Sequence, residues 1–234
     1  MLPNIKLTKT EYQRLKQSSP FAFGSEGAIY QSPTNTIYKI FFDQNGMCDN
    51  KLKKITQLYQ SPLEHMVKPL STISCDDLLL GYEMTYDTTM HNFSPFYLSR
   101  EDLIHVLETT REQIIYFHHY DITFGDIFPR NILINPKTKT TIFCDIDNIR
   151  LGQYPIDLMS KPLAQYCKTC FLDEKTDAYM HSLMTLNSFD LDEKFCDIEE
   201  FTYNFQKEGI EVLEGLKNPP VYNGKYLIKY IKKR

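Results

Sequence analysis

The sequence predicts an α+β fold in which a small β-rich lobe, residues 1–86, precedes a larger and mainly helical lobe, residues 87–234. Three observations carry this expectation. Short β-branched and aromatic runs punctuated by turn residues extend to Tyr86, the apolar spacing then changes to that of helices, and no repeat or low-complexity linker intervenes. With 42% of its residues apolar and 24% charged, the chain can build a core without disulfide staples.

The elements follow in order. Thr8 with Glu11 has the form of a capping box and predicts a short helix from Thr10 to about Lys16. Phe21–Phe23, Ala28–Gln31 and Thr36–Phe42 read as a three-strand meander, turning at Gly24-Ser25-Glu26-Gly27 and at Ser32-Pro33-Thr34-Asn35. Asn50–Tyr59 places Leu52, Ile55, Leu58 and Tyr59 at helical spacing, and Met66–Ile73 and Leu78–Tyr86 then read as strands joined at Cys75-Asp76-Asp77. The first lobe is therefore expected to be a five-stranded antiparallel sheet interrupted by one helix, behind the short N-terminal one. In the second lobe Ser99, with Asp102 three residues on, caps a long helix whose face is Leu103, Val106, Leu107, Thr110, Ile114 and Phe117. Asn131–Asn135 and Thr140–Cys144 read as a hairpin turning at Pro136.

Several function classes are disfavoured. A net charge of −4 argues against a general nucleic-acid binder. No apolar run reaches the roughly eighteen residues of a membrane span, and the opening MLPNIKLTKTEYQRLK lacks the apolar stretch of a secretory signal. Cys48, Cys75, Cys144, Cys167, Cys170 and Cys196 are scattered and read as reduced thiols, which predicts a cytoplasmic protein, delivery into another cell by a signal-less route being left open. Cys167-Lys168-Thr169-Cys170 has zinc half-site spacing, but no second pair completes it and His181 stands well apart. The cationic end of the chain, with Lys232, Lys233 and Arg234, reads as the solvated face of a terminal helix.

The chemistry concentrates in TFGDIFPRNILINPKTKTTIFCDIDN, positions 123–148. A carboxylate, Asp126, is followed by a carboxamide, Asn131, then by a hairpin and a second carboxylate, Asp145. Phosphoryl transfer from a nucleotide requires oxygen ligands for Mg²⁺ and an acceptor for the proton of the attacking hydroxyl, and these three residues could supply them. Taken singly, Asp126 would cap a turn, Asn131 would sit in a loop and Asp145 would cap a helix; their order and spacing together favour the chemical reading.

On Phe124-Gly125-Asp126, Asn131 and Asp145-Ile146-Asp147 the chain resembles the protein-kinase-like superfamily, with its catalytic-loop aspartate, the asparagine five residues later and a metal aspartate after a hairpin. Gly125-Asp126 and the Asp-x-Asp ending are most similar to the bacterial members and to aminoglycoside and choline phosphotransferases. The resemblance implies a bilobal fold binding ATP and Mg²⁺ between its lobes. It implies that Asp126 orients or deprotonates the acceptor, and that Asn131 and Asp145 hold Mg²⁺. Gly24, Ser25, Gly27 and Ile29 would then belong to the hairpin over the phosphates, and Lys39, in Ile37-Tyr38-Lys39, would be the phosphate-anchoring strand lysine. Met84, Thr85 and Tyr86 would lie at the adenine-binding hinge, and Asp177 would support the catalytic-loop backbone. For Lys39 the plainer alternative is a solvated edge lysine, and for Asp177 a helix cap.

The departures from that pattern are specific. Asn50–Tyr59 contains no glutamate to pair with Lys39, Phe124 replaces the family histidine, Gly125 removes the arginine that senses a phosphorylated activation loop, and Phe128 stands where a phosphate-contacting lysine is usual. Three readings result: a small protein Ser/Thr kinase-like enzyme with a protein substrate, expected to be monomeric; a pseudokinase serving as a nucleotide-binding or scaffolding module; and a small-molecule kinase, for which the chain beyond Asp147 is short. The role of Asp147 stays open between a direct and a water-mediated contribution to the metal.

Overall fold

The computed structural model describes residues 2–24, 26–42 and 49–152, with Thr176, Asp177, Met180, His181, Met184, Thr185 and Ser188 beyond them; the side chains of Asp49, Asn50 and Asp147 are not part of that description. The fold is α+β, and the chain divides into two compact units, one ending at Thr88 and the other beginning at Thr89.

The first unit runs β1 (Asn4–Lys6), α1 (Lys9–Gln17), β2 (Ala22–Phe23), β3 (Gly27–Gln31), β4 (Ile37–Phe41), α2 (Asp49–Gln60), β5 (Pro69–Cys75) and β6 (Leu78–Met84). The Thr8 capping box starts α1: the Glu11 amide donates to Thr8 Oγ1 at 3.2 Å and the Thr8 amide to Glu11 Oε2 at 2.7 Å. The sheet has six strands, in the order β1-β5-β6-β4-β3-β2, and β1 runs parallel to β5. This corrects the expected five-stranded antiparallel arrangement. Asn-Ile-Lys is too short and too polar to announce a strand; its status comes from the edge of β5, where Thr72 donates to Pro3 O and Leu7 to Ser74 O, both at 2.8 Å. One buried cluster, including Tyr30, Tyr38, Ile40 and Ile73, is closed by Ile5 and Leu7 and by Tyr12 and Leu15 of α1. Because side chains alternate along a strand, Lys39 and Phe41 leave the sheet on the side opposite Tyr38 and Ile40.

The second unit contains β7 (His91–Asn92), α3 (Arg100–His118), β8 (Ile122–Thr123), β9 (Ile132–Ile134), β10 (Thr141–Phe143) and β11 (Arg150–Leu151). Short 3₁₀ turns occupy Pro95–Tyr97, Pro129–Asn131 and Ile146–Asn148. Ser99 Oγ accepts the Asp102 amide at 3.1 Å and fixes the start of α3. The β9–β10 hairpin is organised by Asn135 rather than by the proline beside it: Asn135 Oδ1 accepts the amides of Lys137 and Thr138 at 2.9 and 3.2 Å, and Lys139 takes φ +62°. Strand β7 extends this hairpin to a three-stranded sheet, and β8 pairs with β11, which closes the base of the segment between them. Three rings, Phe117 of α3, Phe124 and Phe143 of β10, stack edge and face at 4.4 to 5.7 Å between centroids and fill the space beneath that segment. Thr176, Asp177, Met180, His181, Met184 and Thr185 are helical and buried, at the spacing of one helix face; most of the chain expected to make the second lobe mainly helical lies outside the described residues. Among the described residues no helix is long and apolar enough to cross a membrane.

His181 makes the stability of this unit pH-dependent. Burial pushes its imidazole down to about 4, the Arg111 charge acting in the same sense, while Nε2 lies 3.0 Å from Leu107 O. The neutral ring donates there. An unfolded histidine takes up its proton near pH 6.5, so the contribution is complete above that value and is lost as pH falls toward 4, to a limit of about 3 kcal/mol. Urea titrations at pH 7.5 and pH 5 are expected to show that loss, and His181→Gln should flatten the difference between them.

Candidate functional site

Two groups of residues carry the candidate chemistry, one in each unit. In the second unit the segment after β8 begins with Phe124 and Gly125, and its backbone is held by a carboxylate that no solvent reaches. Asp177 Oδ1 accepts the Gly125 amide at 2.7 Å, Oδ2 accepts the Phe124 amide at 3.0 Å, and His118 Nε2 donates to Oδ2 at 2.9 Å. Three donors on one buried carboxylate offset the loss of its hydration. Gly125 takes φ +67°, a conformation that resists a side chain, so the residue before Asp126 turns the chain where a β-carbon would be strained. Phe124, standing in the aromatic core, supports the same turn from beneath.

Asp126 and Asn131 meet directly. Asn131 Nδ2 donates both to the main-chain O and to Oδ2 of Asp126, each at 2.8 Å, and Pro129–Asn131 is the 3₁₀ turn that brings them together. With the amide nitrogen committed in this way, Asn131 presents Oδ1 as its remaining polar atom. Arg130 adds a contact that the sequence did not disclose: Nη2 lies 3.1 to 3.2 Å from both Asp126 oxygens, and the guanidinium stacks 4.4 Å from the Phe128 ring centroid. The signal for it was the i,i+4 spacing from Asp126 to Arg130.

Asp145 follows Cys144, whose amide donates to Asn131 O at 2.9 Å, so the segment that carries the second carboxylate is tied to the residue that carries the carboxamide. Asp145 itself adopts φ +60° and ψ +45°. A left-handed aspartate costs about 1 kcal/mol or more and is tolerated where surrounding structure imposes it, a pattern that concentrates at functional sites. Asn131 Oδ1 and the Asp145 carboxylate are hard oxygen donors, the type Mg²⁺ takes, usually with only one or two protein ligands and the rest from phosphate and water. Among the described residues no group of three or more His, Cys, Asp or Glu side chains could hold a metal ion. Cys167 and Cys170 lie outside the described residues, as does the Asp147 side chain.

In the first unit Lys39 lies on β4, an interior strand between β6 and β3, and is only 4% exposed, so the alternative of a solvated edge lysine is set aside. Ile29 and Tyr82 flank it in register on either side. The two candidate glycines differ in what they require. A β-carbon at Gly27 would stand 2.5 Å from Ile40 O, so that glycine is demanded by the close approach of β3 to β4, whereas one at Gly24 would meet nothing nearer than Gly27 O at 3.7 Å. Gly24 is therefore the glycine that strand packing leaves unexplained. Ser25 between them lies outside the described residues. Met84 is buried at the end of β6, Thr85 is exposed, and Tyr86 meets Phe21 edge-on at 5.5 Å. The Thr85 amide donates to Lys68 O at 3.2 Å.

A second feature absent from the sequence reading is an ion pair between α2 and the β2–β3 turn. Lys51 Nζ lies 2.9 Å from Glu26 Oε2, with the two side chains 7% and 16% exposed, and 4.6 Å from the centroid of the Phe41 ring. Lys39 Nζ lies 5.9 Å from that same ring.

No family model matches the chain, and no curated protein is similar to it.

Proposed function

We propose that the chain is an ATP- and Mg²⁺-dependent phosphotransferase of the protein-kinase-like type, acting on a hydroxyl of a protein substrate. The observation that carries this reading is the Asp126–Asn131 contact on a backbone turn held by buried Asp177, with Asp145 tethered to Asn131 through the Cys144 amide. Such a constellation positions groups more than it reacts, which is what phosphoryl transfer asks of a protein. Asp126 takes the proton of the attacking hydroxyl as its oxygen bonds to the γ-phosphorus and ADP departs. Lys39, drawn out of water on an interior strand, supplies positive charge to the nucleotide phosphates. Asn131 Oδ1 and Asp145 would hold Mg²⁺, which when bound neutralises phosphate charge. The alkyl-free backbone at Gly24 leaves room for a phosphate oxygen to approach an amide.

Thermal unfolding with Mg-ATP tests the reading at the level of binding. A ligand that binds only the folded state raises the midpoint, by about 2.7 kcal/mol of added stability at a hundred times the dissociation constant. Wild-type protein is expected to show the rise, and Asp145→Ala to lose most of it. A midpoint that ignores Mg-ATP would remove the nucleotide from the account. Protein labelling by γ-labelled ATP separates an enzyme from a nucleotide-binding scaffold, and turnover of small hydroxylated acceptors without protein labelling would transfer the assignment to a small-molecule kinase.

A further inference from the structure

We propose that Arg130, stacked on Phe128 beside Asp126, is the acceptor-recognition residue of the site and selects a hydroxyl flanked in its own chain by an acidic side chain. The inference rests on the phosphotransferase reading above and names the substrate class of that same site. What matters first is how much of the guanidinium is left unused. Nη2 alone makes both contacts to Asp126, at 3.2 Å to Oδ1 and 3.1 Å to Oδ2. Among the described residues Nε and Nη1 have no hydrogen-bond partner, and the side chain is largely exposed, so the remaining donors of the planar fork are open to solvent. Such a fork matches a carboxylate, which it can take in two parallel bonds. The Asp126 contact does not use up this capacity, since an exposed pair four residues apart is weakly held.

The surroundings orient the fork. Pro129 keeps Phe128 extended, at φ −132° and ψ 157°, and the Phe128 ring centroid lies 4.4 Å from the guanidinium carbon, which favours one plane for the group. The Asn131 amide donates to Phe128 O at 2.9 Å and Cys144 Sγ lies 3.7 Å from Arg130 O, so the backbone that carries Arg130 is tied on both sides. Asp126 then divides the site by depth. Asn131, which carries a metal donor of the proposed site, is buried, whereas Arg130 stands on the open side, from which a protein acceptor must arrive. A hydroxyl bonded to Asp126 and an anion bonded to the fork each lie about 3 Å from the atoms that hold them. Their separation is then that of neighbouring side chains in an extended peptide, at about 3.5 Å per residue.

Labelling of serine peptides by γ-labelled ATP with Mg²⁺, on the full chain, tests this. Three peptide mixtures are compared, degenerate elsewhere but with Glu, Gln or Lys fixed at the two positions on each side of the serine. Wild-type protein is expected to prefer the Glu mixture to the Lys mixture by about tenfold or more in kcat/KM, the size of one hydrogen bond between charged groups. Arg130→Gln should bring that ratio close to one, and Arg130→Lys, which keeps the charge without the fork, should retain part of it. Arg130→Glu should invert the ratio in favour of Lys. Loss of a merely structural contact cannot produce an inversion, because it lowers transfer to all three mixtures alike. Wild-type protein that binds Mg-ATP yet labels the mixtures equally, or labels none, overturns the inference and leaves the nucleotide site standing, and so does an Arg130→Glu protein that keeps the wild-type ratio. A wild-type unfolding midpoint that ignores Mg-ATP overturns instead the reading on which the inference rests. Should Arg130→Glu fail to fold, Arg130→Gln decides in the same assay: a ratio near one supports the recognition role, and the wild-type ratio refutes it.

Discussion

Asp126→Ala is expected to lower the rate of phosphate transfer by about three orders of magnitude while leaving the protein folded. The geometry separates the two effects. The side chain accepts from Asn131 and lies against Arg130, yet Asn131 Nδ2 has a second acceptor, the main-chain O of the same residue, at the same 2.8 Å. That bond survives the substitution, so the Pro129–Asn131 turn keeps its closure. The Arg130 contact is an i,i+4 pair whose arginine is 62% exposed, and pairs of that kind contribute about 0.5 kcal/mol or less. What disappears is the carboxylate that the proposed reaction uses as its proton acceptor, along with the contact to the Arg130 guanidinium. Initial rates of transfer from labelled ATP, measured beside the unfolding midpoint, check the expectation. Undiminished transfer by a folded Asp126→Ala protein would remove Asp126 from the reaction.

The second large effect is expected from Asp177→Ala, and it should be seen first in stability. Removing the carboxylate leaves the Phe124 amide, the Gly125 amide and His118 Nε2 without the acceptor they share, inside a region that excludes water. Each buried donor so deprived costs about 1 to 3 kcal/mol, so the sum is at least about 3 kcal/mol, a large part of the 5 to 15 kcal/mol that holds a typical domain together. Asp177→Asn keeps the shape and still fails in part, because its amide group points a donor at donors. Urea denaturation should place both variants well below wild type, with Asp177→Ala the lower. Faster hydrogen exchange at Phe124 and Gly125 should identify where the fold has loosened, and any preparation that stays folded should transfer phosphate poorly because Asp126 is carried on that backbone. An unfolding midpoint within a degree or two of wild type for Asp177→Ala would show that the three contacts contribute little.

The stability effect of His181 belongs to the same helix face as Asp177, four residues on, yet it works in the opposite sense. Asp177 is a buried charge satisfied by donors; His181 is a buried ring kept neutral by the same exclusion of water. Acidification therefore acts on this face through the histidine, before carboxylates in general begin to protonate.

What the sequence determined by itself was confined to features whose partners lie within a few residues. The Thr8–Glu11 box, the Ser99 cap and the extent of α3 were legible because a cap's donor and acceptor are three positions apart, and the meander and the β9–β10 hairpin because side-chain period and turn chemistry are local. The order Asp126, Asn131, Asp145 was visible as a pattern of residue types, and so was the absence of a glutamate from α2. Tertiary structure decided the rest, for one physical reason: an interaction between distant segments leaves no periodic trace in either of them. Asn4–Lys6 became a strand because β5 had an edge to offer, through contacts such as Asn4 Nδ2 to Ser74 Oγ, 70 residues apart. Gly27 acquired its necessity from Ile40 O on the next strand, not from its own turn. The hold of Asp177 on Phe124 and Gly125, across 53 and 52 residues, was expected only through the resemblance, and that of Lys51 on Glu26, across 25, was not expected at all, because both came into being when the fold brought distant segments together away from water.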